Sequence, residues 1–285
     1  MAELDVILTY FNTDLLIKKC LENILKTEGV DFNVYVVDNT LKSGNFLSSL
    51  FNDKRVNIIR GVDGRKKFKT SARGRHHPDG IGLGIKNSSS KYIALFHSDS
   101  WPIDPLWYAK CKGYIDKGSE LVWIQHESSI HHSFHFVKRK TLSDLDFNYS
   151  IKQRFGKDFD KYVIHSDFVR ERRHKWDYGE KLAIDLYKQG KTTTGLLPYA
   201  ACYPKDIACE HKTWRKLKEK GYGTIYANTI FHFWKSFRRC DQVENVLEFF
   251  NSDRYLTEHV KVNKNNMFCQ NKSIHDNTVY YEEEE

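Results

Sequence analysis

The chain has 285 residues, 40% of them hydrophobic and 14% aromatic, enough for one large α/β domain or two small ones and too apolar for a disordered chain. Lys and Arg outnumber Asp and Glu by 45 to 37, a formal net charge of +8 that favours anionic partners. That charge is spread along the chain instead of gathered into one stripe, which sets nucleic acid behind nucleotides, phosphates and lipid headgroups as partners, and the six cysteines contain no CxxC pair, which fits a reducing compartment without disulfides or structural zinc.

The N-terminus, MAELDVILTYFNT, has acidic residues where a signal peptide carries basic ones. No stretch reaches the ~18 apolar residues of a membrane span, so the expectation is a soluble, cytoplasmic protein whose membrane contact is at most peripheral. DVILTY (5–10) reads as a β-branched strand. Residues 12–14 can cap a helix through LLIKKCLENILKTEG, where Leu16, Cys20, Leu21, Ile24 and Leu25 share one face and Gly29 closes the helix. NVYVVDN (33–39), RVNIIRG (55–61) and KYIALFHSD (91–99) follow as strands. Continuous apolar strands alternating with helices predict a mostly parallel sheet buried on both faces.

Between the third and fourth strands lies a long basic, Gly-rich loop that leads into a short helix. Its GIGLG imitates a dinucleotide fingerprint but lacks the preceding strand and the full spacing. Then come a helix in LWYAKCKGYIDKG, a strand LVWIQ, the segment HESSIHHSFHFVKRKTL and a polar stretch over residues 140–176 suited to cover a site. WDYGEKLAIDLYKQGK (176–191) is an amphipathic helix, TTTGLLP a strand, CEHKTWRKLKEKGY a helix, and GTIYANTIFHFWKSFR one strand with a histidine at its tip. The terminal YYEEEE reads as a solvated acidic tail, and most of the six tryptophans read as core.

The fourth strand drives Tyr92 to Phe96 through the core and ends in His97, Ser98 and Asp99. Pro102 cannot donate to a ladder, which predicts that the strand stops before it. Such a strand tip is where open α/β sheets place ligands.

ILTYFNTDLLIKKCLENIL, VYVVDNT, HHPDGIGLG, YIALFHSDSWPIDPLW, WDYGEKLAIDLYKQG and IFHFW, in this order, resemble the inverting GT-A glycosyltransferases, family 2 in particular. The resemblance implies a Rossmann-like nucleotide-binding half with a mostly parallel central sheet, fused to an acceptor-binding half. On that reading residues 1–240 form one domain, 1–110 the nucleotide-sugar half and 111–240 the acceptor and catalytic half, with 241–285 a C-terminal extension. It implies transfer of a hexosyl or pentosyl unit from a nucleotide sugar to a hydroxyl of a glycan, a lipid-linked sugar or a protein.

By the same resemblance Thr9, Tyr10, Asn12 and Asp38 line the base and ribose pocket. A carboxylate there can accept from ribose hydroxyls, and Tyr10 offers a stacking face; the alternative for Asp38 is a turn-former in DNT. HSD stands where the family carries Asp-x-Asp, with Asp99 the metal ligand and His97 and Ser98 beside the nucleotide. His97 in place of an Asp weakens the case for Mg2+ and favours Mn2+, whether it touches the metal, touches ribose or only ends the strand. His232 is the second metal ligand, or else a packed strand histidine. Lys235, Ser236 and Arg238 would hold the departing diphosphate, with Arg75 and His77 facing the phosphates from the other side.

Inversion needs one base on the face opposite the leaving group, and the resemblance assigns it to Asp177, with Glu180 as the fallback; the two also fit the spacing of a capping box. Trp176 and His132, the latter in a group with His126, His131 and His135, fall on the acceptor side. Two rivals stand beside this reading. One is a degenerate glycan- or nucleotide-binding protein that lost its metal with the His97 exchange. The other is a nucleotidyltransferase, disfavoured because TYFNTD follows the first strand where a Gly- and basic-rich loop belongs.

Overall fold

A computed structural model describes residues 2–11, 13–40, 52–61, 76–126, 129–145, 147, 149, 178–196, 198–200, 223–226, 229–233 and 278–280. Strand β1, Leu4–Tyr10, is buried along its whole length. With side chains alternating between faces, Leu4, Val6, Leu8 and Tyr10 join one apolar layer and Ile7 the other. Two covered faces are why the strand reads as an unbroken apolar run.

β1 pairs in parallel with β2 (Phe32–Asp38) on one side and β4 (Tyr92–His97) on the other, and β3 (Val56–Arg60) extends the sheet parallel to β2. β3 is the outer strand and is largely exposed, with Ile58 40% accessible, so its apolar run does not mark two buried faces. Beyond β4 lie β7 (Ser129–Lys138), β6 (Ser119–His126), β8 (Thr192–Leu196) and β12 (Thr278–Tyr280). Among the described strands of this eight-stranded sheet β7 alone runs antiparallel to its neighbours, because it follows β6 across a short hairpin connection. The mostly parallel sheet thus has one reversed strand. β12 places residues 278–280 of the C-terminal segment on the sheet edge beside β8.

One face is covered by α1 (Asp14–Ile24) and α3 (Trp107–Asp116), through Leu16, Ile17, Cys20, Leu21 and Ile24 and through Trp107, Tyr108, Cys111 and Ile115. The other is covered by α2 (His76–Asn87), α4 (Arg139–Asp144) and α5 (Tyr178–Lys188), through Ile81, Leu142, Leu182, Ala183 and Leu186. α1 stops at Ile24, earlier than its apolar pattern suggests, and Gly29 takes up φ 75° in the turn beyond it.

The GIGLG segment lies within α2, where its glycines permit close approach. A Cβ on Gly80 would sit 2.8 Å from Asn39 Nδ2, one on Gly82 2.8 Å from the Tyr149 carbonyl oxygen, and one on Gly84 would collide with Ile7. These glycines let the helix lie against β1 and β2.

A second sheet of four antiparallel strands, β5 (Ser100–Pro102), β11 (Ile230–Phe233), β10 (Gly223–Tyr226) and β9 (Pro198–Ala200), packs over the α1 side. Two expectations change here. The chain turns at Ser98 and Asp99 and forms a strand that includes Pro102; the proline is tolerated because β5 is an edge strand. GTIYANTIFHFW folds as two strands, β10 and β11, closed by the Thr229 N–H on the Tyr226 carbonyl at 2.9 Å. Trp101, Trp107 and Trp123 are fully buried, as read from the sequence, and the indole N–H of Trp107 donates to Thr27 Oγ1 at 2.7 Å. The helix read in CEHKTWRKLKEKGY lies outside the described residues. Among the described residues no helix is long and apolar enough to cross a membrane.

Candidate active site

Parallel pairing brings the carboxyl ends of β1, β2, β3 and β4 to one rim, where Thr9 lies beside His97, Tyr10 beside Asp38, and Asp38 beside Arg60. A ligand-binding crevice belongs at such a rim. Asp38 is 3% exposed; its Oδ1 accepts the Thr40 N–H at 2.8 Å and its Oδ2 lies 3.6 Å from Arg60 Nη1. Asp38 therefore shapes its own turn, and its buried carboxylate sits at the rim beside Arg60. Arg60 was not foreseen; the clue in the sequence is that the second strand ends in an acid and the third in a base.

Tyr10 corrects an expectation. It is 4% exposed and packs in the core, so its ring offers no open stacking face. Its hydroxyl donates to Asp14. Burial, that hydrogen bond and the charges of Asp14 and Asp38 push its pKa far above the usual phenol range and keep it neutral.

Thr9 and His77 meet through Oγ1 and Nδ1, tying the first turn of α2 to the end of β1. The His77 ring stands edge-on to the His97 ring with centroids 3.9 Å apart. His77 thus faces His97 from the α2 side of the sheet.

The tight turn after β4 carries the centre of the site. Asp99 Oδ1 lies 3.7 Å from His97 Nδ1 and 3.9 Å from His232 Nε2, and one donor atom from each of the three falls within 4.8 Å of the others. The three side chains are 18%, 16% and 6% exposed for His97, Asp99 and His232, so the pair at the turn is partly exposed and His232 is buried beside it. β11 brings His232 here because His232 pairs with Ser100 and the Phe233 N–H donates to the Asp99 carbonyl at 2.8 Å.

The turn is braced from behind. Cys20 on α1 donates its thiol to the Ser100 carbonyl at 3.0 Å, and burial followed by the Asp99 charge pushes its pKa well up, which keeps it a thiol behind the turn. Thr13, at the start of α1, makes no side-chain cap and instead donates its hydroxyl to Ser98 Oγ at 2.7 Å. Ser98 is 9% exposed and serves to fix the turn.

Two imidazoles and one carboxylate form a donor set that fits a divalent transition ion. Two donors on one tetrahedral ion with ~2.1 Å bonds stand ~3.4 Å apart, close to the separations found here. His97, Asp99 and His232 are therefore the described residues that could hold a metal.

Asn12, Arg75, Trp176, Asp177, Lys235, Ser236 and Arg238 lie outside the described residues. Glu180 falls within α5 and His132 within β7, but their side chains are likewise outside what is described. His135, grouped with His132 on the acceptor side, is fully buried on β7 and shares a 2.8 Å hydrogen bond between its Nδ1 and the buried Tyr149 hydroxyl. Its role is packing against Tyr149, on the strand that α5 covers, which removes it from the acceptor group.

The family model for glycosyl transferase family 2 matches residues 5–178. No curated protein matches the chain. Among solved structures, mannosyltransferase PcManGT from Pyrobaculum calidifontis, in complex with GDP-Man and Mn2+, is similar at 14% identity and a TM-score of 0.45 over 67% of this chain and 53% of its own. S. aureus TarS 1-349 in complex with UDP-GlcNAc is similar at 13% identity and a TM-score of 0.39 over 51% of this chain and 48% of its own. The chain spans about half the length of these two structures.

Proposed function

Because the chain belongs to glycosyl transferase family 2 and has the GT-A fold, we propose that it moves a hexosyl or pentosyl unit from a nucleotide sugar to an acceptor hydroxyl with inversion. The observation that carries this reading is the gathering of His97, Asp99 and His232 at the same strand rim as Asp38. Asp38 accepts from the ribose or base, with Arg60 beside it, and the diphosphate lies toward the Asp99 turn. His97, Asp99 and His232 would hold a divalent ion, Mn2+ in preference to Mg2+, which would supply positive charge against the charge that builds on the leaving diphosphate. Lys235 and Arg238 are placed by sequence to serve the same charge.

In the transfer step the acceptor oxygen bonds to the anomeric carbon and gives its proton to the Asp177 carboxylate. The bond from that carbon to the diphosphate breaks on the opposite face, and its electron pair leaves with the nucleotide. Asp177 directly precedes α5 in sequence, and Glu180 is the alternative base. Trp176 and His132 serve the acceptor, which is a glycan, a lipid-linked sugar or a protein.

A panel of nucleotide sugars incubated with the full chain tests the proposal through release of nucleoside diphosphate, with and without Mn2+. Slow, Mn2+-dependent release from one or a few donors is expected. Calorimetric binding without any release, with or without acceptor, would favour a degenerate binding protein. A chain that neither binds nor cleaves any donor would overturn the reading.

A further inference from the structure

We infer that His135 and Tyr149 are positioning residues for the transfer reaction: joined in the core, they fix a bulge of β7 at the rim beside His97 and tie it to α5, the helix that follows Asp177 in sequence. What they position rests on the glycosyltransferase reading; the lock between them does not.

The register of β7 is the first argument. Consecutive residues of β6, Trp123 and Ile124, face His135 and His131, so His132, Ser133 and Phe134 form a bulge in β7. On its other edge β7 runs antiparallel to β4, with Leu95 facing His135 and Phe96 facing Phe134. The bulge therefore stands beside the tip of β4 that carries His97, on the flank of the sheet away from β1, β2 and β3. Those three strands supply the nucleotide side of the rim, which leaves the bulged flank to the acceptor. Bulges re-aim the side chains they carry, and their geometry depends on what pins their ends.

The pin at the lower end is the second argument. His135, where the ladder to β6 regains its register, is fully buried, and its Nδ1 shares a 2.8 Å hydrogen bond with the Tyr149 hydroxyl. Tyr149 is 1% exposed, and burial raises its phenol above the usual range, so it keeps its proton. Two polar groups enclosed in an apolar layer have no water to turn to, and breaking the bond strands both. His135 is thereby held in one orientation at the foot of the bulge.

The surroundings of Tyr149 supply the third argument. Phe147 stands edge-on to it with ring centroids 5.1 Å apart, and the Phe147 N–H donates to the Leu142 carbonyl at 2.8 Å. Both aromatics belong to the buried cluster that holds Ile81 of α2 and Leu182, Ala183 and Leu186 of α5. Gly82 of α2 lies against the Tyr149 carbonyl oxygen so closely that a Cβ would stand 2.8 Å from it. Tyr149 thus meets β7 through its hydroxyl and α2 through its backbone, and shares the apolar layer of α5. Loosening it frees the bulge, which contains His132, together with α5, which follows Asp177. A misplacement of ~1 Å at groups that serve the acceptor and its proton costs on the order of a hundredfold in rate.

The test uses the full chain and two readouts: amide hydrogen exchange by mass spectrometry, and nucleoside diphosphate release from a panel of nucleotide sugars with Mn2+, well below Tm. Tyr149→Phe keeps the ring and removes only the hydroxyl. Exchange in peptides spanning residues 129–138 and 178–188 should rise at least tenfold, while peptides spanning residues 14–24 and 107–116, on the opposite face, stay unchanged. In the same variant kcat for release should fall at least tenfold with the donor KM within threefold. His135→Leu should behave likewise, and His135→Asn, whose amide sets a polar atom where Nδ1 stands, should return kcat and exchange to within threefold of the parent. A residue that merely fills the core would raise exchange evenly on both faces and would gain nothing from asparagine over leucine. Either of those results, or an unchanged kcat in Tyr149→Phe, overturns the inference, and Tyr149→Phe decides alone if the His135→Leu chain does not fold. A parent chain that releases nucleoside diphosphate from no donor sinks the glycosyltransferase reading and the use proposed for the lock; an active parent with an indifferent Tyr149→Phe variant sinks this inference only.

Discussion

Replacing Gly84 by alanine sets two opposing effects against each other, and the structure decides the sign. Alanine in a helix interior gains about 0.5–1 kcal/mol over glycine. At Gly84, however, the new Cβ would collide with Ile7 Cγ2 and lie 3.2 Å from Val37 Cγ2. Ile7 is 1% exposed and β-branched, and Val37 is fully buried, so neither side chain can rotate away and α2 must lift from the sheet. Overpacking of this kind costs about 1–3 kcal/mol, and with both neighbours locked in place the upper part of that range, about 2–3 kcal/mol, applies, leaving a net loss of about 1–2.5 kcal/mol. Gly113 in α3 is the control, since a Cβ there meets nothing within 4 Å, and Gly113→Ala should stabilise by about 0.5–1 kcal/mol. Urea unfolding midpoints of the two variants and the parent measure both effects. A Gly84→Ala chain as stable as the parent, with Gly113→Ala behaving as expected, would refute the close-approach account of the GIGLG segment. Lifting α2 also draws His77 away from Thr9 and His97, so Mn2+ affinity should fall in Gly84→Ala and not in Gly113→Ala.

Asp177→Asn should reduce transfer by at least 100-fold and leave the calorimetric affinity for the donor within threefold, because the amide keeps its shape but cannot take the acceptor proton; unchanged turnover would remove Asp177 from the mechanism. Cys20 and Cys111 are fully buried and burial raises both thiols above their usual range, so at pH 8 iodoacetamide should leave both unmodified in the folded chain and label both in denaturant, as read by peptide mass spectrometry. Rapid labelling of Cys20 under native conditions would contradict its place behind the Asp99 turn.

The first strands were legible because burial on two faces leaves a simple trace: VILTY, VYVVD and YIALF have little polar content since no solvent reaches them, and an α/β alternation of such runs admits few topologies. The rim followed from the same logic, since polar residues that end a buried strand must surface there. Local sequence could not show which faces those residues would find. Tyr10 looks like a stacking platform until α1 covers it, and His135 looks like its neighbour His132 until Tyr149 reaches it across fourteen residues of chain. Ser100 to Pro102 reads as the end of a strand until β11, more than a hundred residues later, pairs with it.

By itself, then, the order of apolar runs determined a parallel α/β sheet and the polar tip of its fourth strand, because both depend on burial patterns written over a few neighbouring residues. The family resemblance pointed to His232 beside Asp99, but tertiary structure alone decided that His97 faces the same Asp99 oxygen, that Arg60 stands beside Asp38, and that His77 braces the site through Thr9. Those contacts join segments far apart in the chain, and their separations are set by strand register and helix packing, which no local pattern encodes.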